Sequence, residues 1–487
     1  MSTIRKYAES GKLLIVATIA ALFAANLPLT RDWYSSFWQE PLNLVVAGYD
    51  LLSHNGQSLT IGGFINDFLM AIFFLSVGLE LKREIFCGGE LSSLRKALLP
   101  VLAAIGGMIV PTIVFGIACY LTGDAKYMGI MERGMPIPMA TDIAFSLGVL
   151  SMFSKRVPTG LKVFLATLAV ADDLGGILVI AINYTDHISM PHLGGVLGCI
   201  LACMYLSYRK VHSKIGYFGI GLFMWWFMFQ SGIHSTIAGV ALAFCIPARL
   251  SHGTKYYIEK IREQIDKFPH YEVTAHDKRT PHMLTQTEIQ DLRAIESASD
   301  HLISTLQDAE DVLRNPISML IIPIFAFANA GVCFEGMSID NLTQGVGLGV
   351  FLGLVIGKFS GVMMACWLSV KAKIVQLPDG ATWASLSGIA MLCGIGFTVS
   401  MFMAELSYPL NLEGQEPALM KILLNDAKLG ILCGTITSAA IGSIILKRTL
   451  PSKGGGTVPE KKSGTPLHRQ AWQDDRLKMH RYIIILH

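Results

Sequence analysis

Twelve times along this chain an apolar stretch recurs that is long enough, at ~20 residues, to cross the hydrocarbon core of a bilayer. The stretches lie near 13–28, 63–81, 97–120, 134–153, 160–183, 192–208, 214–229, 232–248, 316–334, 346–370, 384–408 and 426–446. Backbone N–H and C=O groups find no water in hydrocarbon, so a run that crosses alone must satisfy its own backbone as a helix. The predicted fold class is therefore an all-α polytopic membrane protein. Composition agrees: 52% of residues are hydrophobic, 15% are charged and the mean hydropathy is +0.49, a balance that excludes an ordinary soluble globular protein. The first stretch follows Arg5, Lys6 and Lys12 as a signal peptide would, but it leads into many further spans and is read as a retained helix.

Basic residues set the orientation. Arg5, Lys6 and Lys12, then Lys82, Arg83, Arg95 and Lys96, then Lys155 and Arg156, then Arg209, Lys210 and Lys214, then Lys371 and Lys373 occupy alternate connections. Those connections are predicted to be cytoplasmic, which puts both termini inside. The net charge of +3 follows from this loop bias and implies no nucleic-acid partner. The nine cysteines are scattered and mostly within spans, so no disulfide framework is predicted.

The chain divides into a cytoplasmic N-terminus (1–12), helices one to eight (13–248), a hydrophilic cytoplasmic connection (249–315), helices nine to twelve (316–448) and a disordered cytoplasmic tail (449–487). Within the connection, Ile289, Leu292, Ile295, Leu302, Leu306 and Leu313 recur at roughly helical spacing, which predicts a solvated segment with some amphipathic helix. The tail opens with SKGGGTVPEKKSGTP, too poor in apolar residues to fold.

Ionisable residues inside the spans carry the most information. A charge at the centre of a membrane helix costs about 2.5–3.5 kcal/mol on insertion scales. Asp67, Glu80, Asp142, Asp172, Asp173, Lys358 and Glu405 stand out, with His234 as a titratable neutral. In LAVADDLGGILVIA (168–181), Asp172 and Asp173 are adjacent, and Ala169, Gly175 and Gly176 lie one turn away on the same side, where they let another backbone approach. The pair is expected to face protein, not lipid. Closely spaced acids away from water take up protons near physiological pH, and once ionised they are hard ligands for a small cation such as Na+ or Li+. Protons and a cation would then compete for one site. If two protons leave for each monovalent cation, exchange is electrogenic.

Two other segments complete the pattern. RGMPIPMATDIAFSLGVL (133–150) sets Pro136 and Pro138 before Thr141 and Asp142, and MLCGIGFTVSMFM (391–403) carries Gly394 and Gly396. Each reads as a simple kink or as a true break. Paired breaks would expose helix-end partial charges near the midplane, where Asp142 would balance positive ends and Lys358 negative ones. Lys358 has the alternative of pairing with Asp172 or Asp173. Glu405, in FMAELSY (402–408), is expected to sit near a membrane face and be solvated.

ATDIAFSLGVL, LAVADDLGGILVIA, LMAIFFLSVGLELKREI (69–85), SGIHSTIAGV (231–240), IPIFAFANAGV (322–332), GLVIGKFSG (353–361) and LCGIGFTVSMF follow one another in this order, and together they closely resemble the NhaA-type sodium/proton antiporters. The resemblance runs from about residue 10 to 448. It implies inverted-topology repeats and unwound fourth and eleventh helices that cross near the ion site. It implies a transporter, not an enzyme, exchanging intracellular Na+ or Li+ for external H+ across a bacterial inner membrane, for sodium extrusion and pH homeostasis, with no cofactor. By motif, Asp173 would be the principal cation ligand, Asp172 the proton-exchanging partner able to pair with Lys358, and Thr141 a neighbour of the site, while Asp142 and Lys358 would compensate helix ends. The resemblance also implies activation at alkaline pH through Glu80, Lys82, Arg83, Glu84 and His234, and a homodimer.

Other classes fit less well. An intramembrane aspartyl protease places its two aspartates on separate helices, one in a G-x-G-D pattern that does not occur here. A channel needs a repeated filter, which is also missing from the sequence. The remaining alternative is a proton-coupled symporter of another solute.

Overall fold

The computed structural model describes residues 2–450, apart from 47–48, 55–56, 90–91, 93, 154–155, 186–187, 210, 212, 249–253, 268–285, 301–303, 335–339 and 411–414. The tail beyond 450, Lys155 and Lys210 therefore lie outside the described residues. Helices occupy Ser2–Asn26, Arg31–Phe37, Ile61–Phe86, Leu94–Thr122, Ile143–Ser151, Thr159–Asn183, Met190–Tyr208, Lys214–Ser231, Ile237–Cys245, Thr254–Lys267, Gln286–Asp300, Thr305–Asn329, Gly345–Lys371, Trp383–Leu392, Phe397–Ser407 and Pro417–Thr449. Extended pairing among the described residues amounts to two small antiparallel hairpins, Val45–Val46 with Tyr49–Asp50 and Ser53–His54 with Gln57–Ser58, and the bridge Pro41 to Thr60.

Every one of the twelve apolar stretches contains helix, but fewer than twelve helices are long and apolar enough to cross a membrane unaided. Among the described residues seven are, and counting the bent pairs Gly11–Asn26 with Arg31–Phe37 (112°) and Trp383–Leu392 with Phe397–Ser407 (45°) as single spans raises this to nine. Ile143–Ser151 and Ile237–Cys245 have nine residues each, or ~14 Å at the helical rise, half of a bilayer core. Lys214–Ser231 reaches 18 residues but is diluted by its polar ends and paired tryptophans. Short and broken helices survive at membrane depth only where neighbouring protein satisfies their backbone.

The packing is inverted relative to a soluble protein. Along Leu94–Thr122, Ile105, Ile109, Ile113 and Ile117 form an exposed stripe one helical turn apart, while Ala103, Ala104, Phe115 and Cys119 on the other side are buried. Small residues set the closest helix contacts. A Cβ on Gly106 would stand 2.5 Å from the Gly361 carbonyl oxygen of Gly345–Lys371 and 2.7 Å from Ala365 Cβ, so only glycine lets these two helices cross at this distance.

The hydrophilic connection does not form one amphipathic helix. Ile289, Leu292 and Ile295 lie on Gln286–Asp300, whereas Leu306 and Leu313 lie on Thr305–Asn329, and Leu302 falls outside the described residues. Ser304 separates the two as an N-cap, its Oγ accepting from the Gln307 N–H at 3.3 Å. Thr305–Asn329 then runs through Pro316 without ending, and the following turn, Ile317–Ile321, widens into a π-helix.

Candidate functional site

The site forms where two interrupted segments meet. In the first, Pro136 caps and Pro138 lies within a 3-10 turn at Ile137–Met139, and the chain then runs extended through Ala140 (ψ 146°) and Asp142 (ψ 101°) before Ile143–Ser151 begins. In the second, Trp383–Leu392 ends at Cys393 and helix resumes at Phe397. Both segments are therefore broken rather than merely kinked. The backbone groups each break exposes are met by the other segment: Asp142 N–H donates to Ile395 O at 2.7 Å, and side-chain hydroxyls serve three more carbonyls, Thr141 Oγ1 donating to Cys393 O at 2.9 Å, Ser146 Oγ to Leu392 O at 3.0 Å and Ser400 Oγ to Ile137 O at 2.8 Å. Gly396 leaves room for this approach, since a Cβ there would lie 3.1 Å from Ala140 O of the first segment, and Gly394 lets Pro417–Thr449 pack against the second, where a Cβ would lie 2.6 Å from Ser438 Oγ.

A break leaves unsatisfied N–H groups at each new N-terminus and unsatisfied carbonyls at each new C-terminus. Asp142 serves both N-termini. Its Oδ1 accepts from Phe145 N–H at 2.9 Å, capping Ile143–Ser151, and its Oδ2 accepts from Thr398 N–H at 3.1 Å and Thr398 Oγ1 at 2.7 Å in the first turn of Phe397–Ser407. Lys358 serves the opposite pole: its fully buried Nζ donates to the Met139 carbonyl where the 3-10 turn ends. The same ammonium donates to Asp172 Oδ2 at 2.5 Å. The two roles that Lys358 could have taken are thus combined, with Asp172 and not Asp173 as the carboxylate it contacts.

Asp173 is left differently placed. It and Asp172 are 4% and 1% exposed, and the Oδ1 oxygen of each is buried without a hydrogen-bond partner. Such oxygens are costly to bury unless something else coordinates or protonates them. The charges that act on Asp173 are those of Asp172, Glu80, Asp142 and Lys358, three acids against one base. Thr141, fully buried, neighbours the Asp172 carboxyl. Two carboxylates and a hydroxyl make a hard oxygen donor set suited to an alkali cation. Behind them, Gly176 faces Met403 of Phe397–Ser407, where a Cβ would come within 3.6 Å of the methionine methyl.

The residues expected to govern the pH response do not form one group. Arg83 sits among Glu310 (2.5 Å), Glu84 (3.4 Å) and Glu80 (3.9 Å), and Glu310 also accepts from Arg314 at 3.0 Å. Lys82 turns instead to the frayed end of Ile237–Cys245, donating to Phe244 O at 2.7 Å and Ile246 O at 2.5 Å. His234 is elsewhere: its Nε2 lies 3.6 Å from Asp67 Oδ1, and its Nδ1 is 2.8 Å from Thr236 Oγ1. Asp67 precedes Arg83 by sixteen residues on Ile61–Phe86, ~24 Å along the helix. Glu80 connects the acidic cluster to the carboxylate pair, because its charge reaches Asp173.

Sequence reasoning missed Thr398, the Met139 and Cys393 carbonyls, Glu310 and Lys428. Thr398 and the Met139 and Cys393 carbonyls gain their roles only from the crossing of the two breaks, and nothing local marks them. Glu310 falls in the connection expected to be hydrophilic and solvated, yet it is buried and joins Thr305–Asn329 to Ile61–Phe86. Glu405 was expected to be merely solvated, but it is paired at 2.6 Å with Lys428, whose side chain is 8% exposed. Lys428 lies near the start of the apolar stretch 426–446, within the helix Pro417–Thr449.

Comparison with known proteins gives the family of the chain. Residues 1–446 match the family described as Na+/H+ antiporter 1. A protein of Bacteroides thetaiotaomicron named Na(+)/H(+) antiporter NhaA is 47% identical over 439 residues, covering 90% of this chain and 94% of that protein. Proteins of the same name from Bacteroides fragilis and Shigella dysenteriae serotype 1 are 45% and 39% identical, covering 91% and 89% of this chain and 95% and 94% of their own lengths.

Proposed function

The chain belongs to the Na+/H+ antiporter family, and we propose that it exchanges Na+ for H+ at Asp172 and Asp173. It is a multi-pass membrane protein and a transporter, not an enzyme. The observation that carries the assignment of the site is the pair of buried carboxylate oxygens without partners beside the Lys358 to Asp172 contact.

Charge bookkeeping supplies the mechanism. Asp142 is balanced by two helix N-termini, and Asp172 by Lys358. Asp173 has no such compensation, so a proton or a cation must neutralise it. Na+ coordinated by both carboxylates and the Thr141 hydroxyl draws Asp172 away from Lys358. One proton then leaves Asp173 and a second leaves the Asp172–Lys358 pair, whose ammonium has lost its counter-charge in an apolar site. Two protons per cation make the exchange electrogenic, and Li+ suits the same oxygens. The competition of protons with the cation weakens Na+ binding at low pH, and with the Arg83, Glu80, Glu84 and Glu310 cluster it supports activation at alkaline pH. The basic connections support an orientation with both termini in the cytoplasm of a bacterial inner membrane. The resemblance further supports a homodimer and Na+ extrusion as the physiological direction.

The test is proton movement in everted membrane vesicles lacking other antiporters, with Na+, Li+ or K+ added across a range of pH to wild type and to Asp173→Asn. Na+ and Li+ are expected to dissipate the pH gradient in wild type alone. A variant as active as wild type would remove Asp173 from the mechanism. A response in wild type that required an organic solute and no Na+ would favour a symporter.

A further inference from the structure

Asp172 and Asp173 do not meet the two ends of the molecule alike. Toward Arg83, the Glu80 side chain is 31% exposed and its charge reaches Asp173. Six residues before Glu80 on Ile61–Phe86, Phe74 meets Phe402 with ring centroids 5.7 Å apart, and Phe402 also meets the His234 ring at 5.6 Å and Phe325 at 6.4 Å. Phe402 is fully buried, and its neighbour Met403 lies against Gly176, three residues beyond Asp173. The side away from Arg83 is thus packed with aromatic and aliphatic carbon next to the carboxylates. Farther out on that side, 11 residues beyond Asp173 and ~16 Å along the helix, Tyr184 is the C-cap of Thr159–Asn183, and Tyr408 is the C-cap of Phe397–Ser407. Both phenols turn to one short run, residues 131–134, that leads into the first break. Tyr408 Oη donates to the Met131 carbonyl at 2.9 Å, and Tyr184 Oη donates to the Arg133 carbonyl at 3.2 Å and lies 2.7 Å from Ser407 Oγ. Tyr408 and Ser407 are fully buried, and a Cβ on Gly134 would overlap the Tyr408 hydroxyl, so only glycine lets the run lie against the ring.

These contacts tie three elements at one level: the end of the helix that carries Asp172 and Asp173, the end of the half-helix Phe397–Ser407, and the run before the first break. The run is held farther along as well, since the Met139 carbonyl accepts from Lys358. Bonds between neutral groups suit a contact that has to be made and broken in every cycle, because each biases an equilibrium without leaving a buried charge behind when it parts. We propose that Tyr184, Tyr408 and Ser407 are the gate that closes the ion site on the face opposite Arg83, their contacts made while the site faces Arg83 and broken when it faces the other way. They are positioning residues that touch no ion, and the inference rests on the reading that Asp172 and Asp173 exchange the ions.

The experiment measures the apparent KM for Na+ from each face, for wild type, Tyr184→Phe, Tyr408→Phe and Ser407→Ala. In the proposed orientation, everted vesicles present the Arg83 face to the medium and right-side-out vesicles present the other. Whatever the intrinsic affinities, the ratio of the two KM values follows the ratio of the populations that face each way. Each variant is expected to raise the Arg83-face KM relative to the opposite-face KM about fivefold, the equilibrium weight of one neutral hydrogen bond. Loss of packing alone would leave this ratio unchanged, whatever it did to the maximal rate. An unchanged ratio in Tyr184→Phe or in Tyr408→Phe overturns the inference, as does a shift in the opposite direction. Should Tyr408→Phe fail to insert, Tyr184→Phe and Ser407→Ala decide the matter alone. A wild type without Na+-dependent proton movement from either face fails the parent reading, whereas a responsive wild type with indifferent variants fails only this one.

Discussion

Replacing Asp142 by asparagine tests whether one carboxylate holds both broken helices together. The substitution is nearly isosteric, so its cost comes from charge and hydrogen bonding. The asparagine side chain retains one carbonyl oxygen, which can still accept from Phe145 N–H, now as a neutral bond worth about 1 kcal/mol less than the charge-assisted one. Its amide nitrogen replaces the oxygen that accepted from Thr398 N–H at 3.1 Å and Thr398 Oγ1 at 2.7 Å, so donor faces donor. The hydroxyl can rotate to relieve its clash, but the backbone N–H cannot, and losing both bonds to a charged acceptor costs about 3 kcal/mol. The sum is about 4 kcal/mol. Thr398→Val removes the hydroxyl bond alone and is expected to cost less than half of that. The assay is unfolding in mixed micelles titrated with SDS, followed by tryptophan fluorescence, for wild type and the two variants. An Asp142→Asn protein within about 1 kcal/mol of wild type would refute the double-capping argument, since it would leave two buried helix N-termini needing no anion. So would a Thr398→Val variant less stable than Asp142→Asn.

Further outcomes follow from the same geometry. Gly106→Val is expected to prevent accumulation of folded protein, because even its Cβ would sit 2.5 Å from Gly361 O, and expression at wild-type levels with full exchange activity would contradict the packing. Glu310→Gln weakens the Arg83 contact between Ile61–Phe86 and Thr305–Asn329, and it is expected to move the pH of half-maximal exchange by a measurable fraction of a unit with little loss at the optimum. The partial exposure of Arg83 keeps the stability cost below about 1 kcal/mol. Two protons per Na+ predict that an imposed membrane potential, negative on the side from which Na+ leaves, accelerates Na+ efflux in proteoliposomes; a rate indifferent to potential would require one proton per cation.

The sequence by itself determined the class of molecule and the identity of its central charges. Apolar runs of bilayer length report a property of each segment against its solvent, and the expense of burying Asp172, Asp173, Asp142 and Lys358 is legible wherever they occur in such runs. Prolines 136 and 138 and glycines 394 and 396 likewise marked where the ladder would be interrupted, because their effect is local to the backbone. Which group meets which was decided only by the tertiary structure. Thr398 and the Met139 carbonyl are ordinary until two broken segments cross, and Glu310 is an acid in a hydrophilic run until Arg83 lies against it. Glu405 shows the difference most plainly, its neighbour Lys428 being 23 residues along the chain on another helix. A single residue's transfer cost is a one-body quantity that the sequence carries. Compensation of a buried charge is a pair property, and it exists only once the fold has brought the second charge within hydrogen-bond reach.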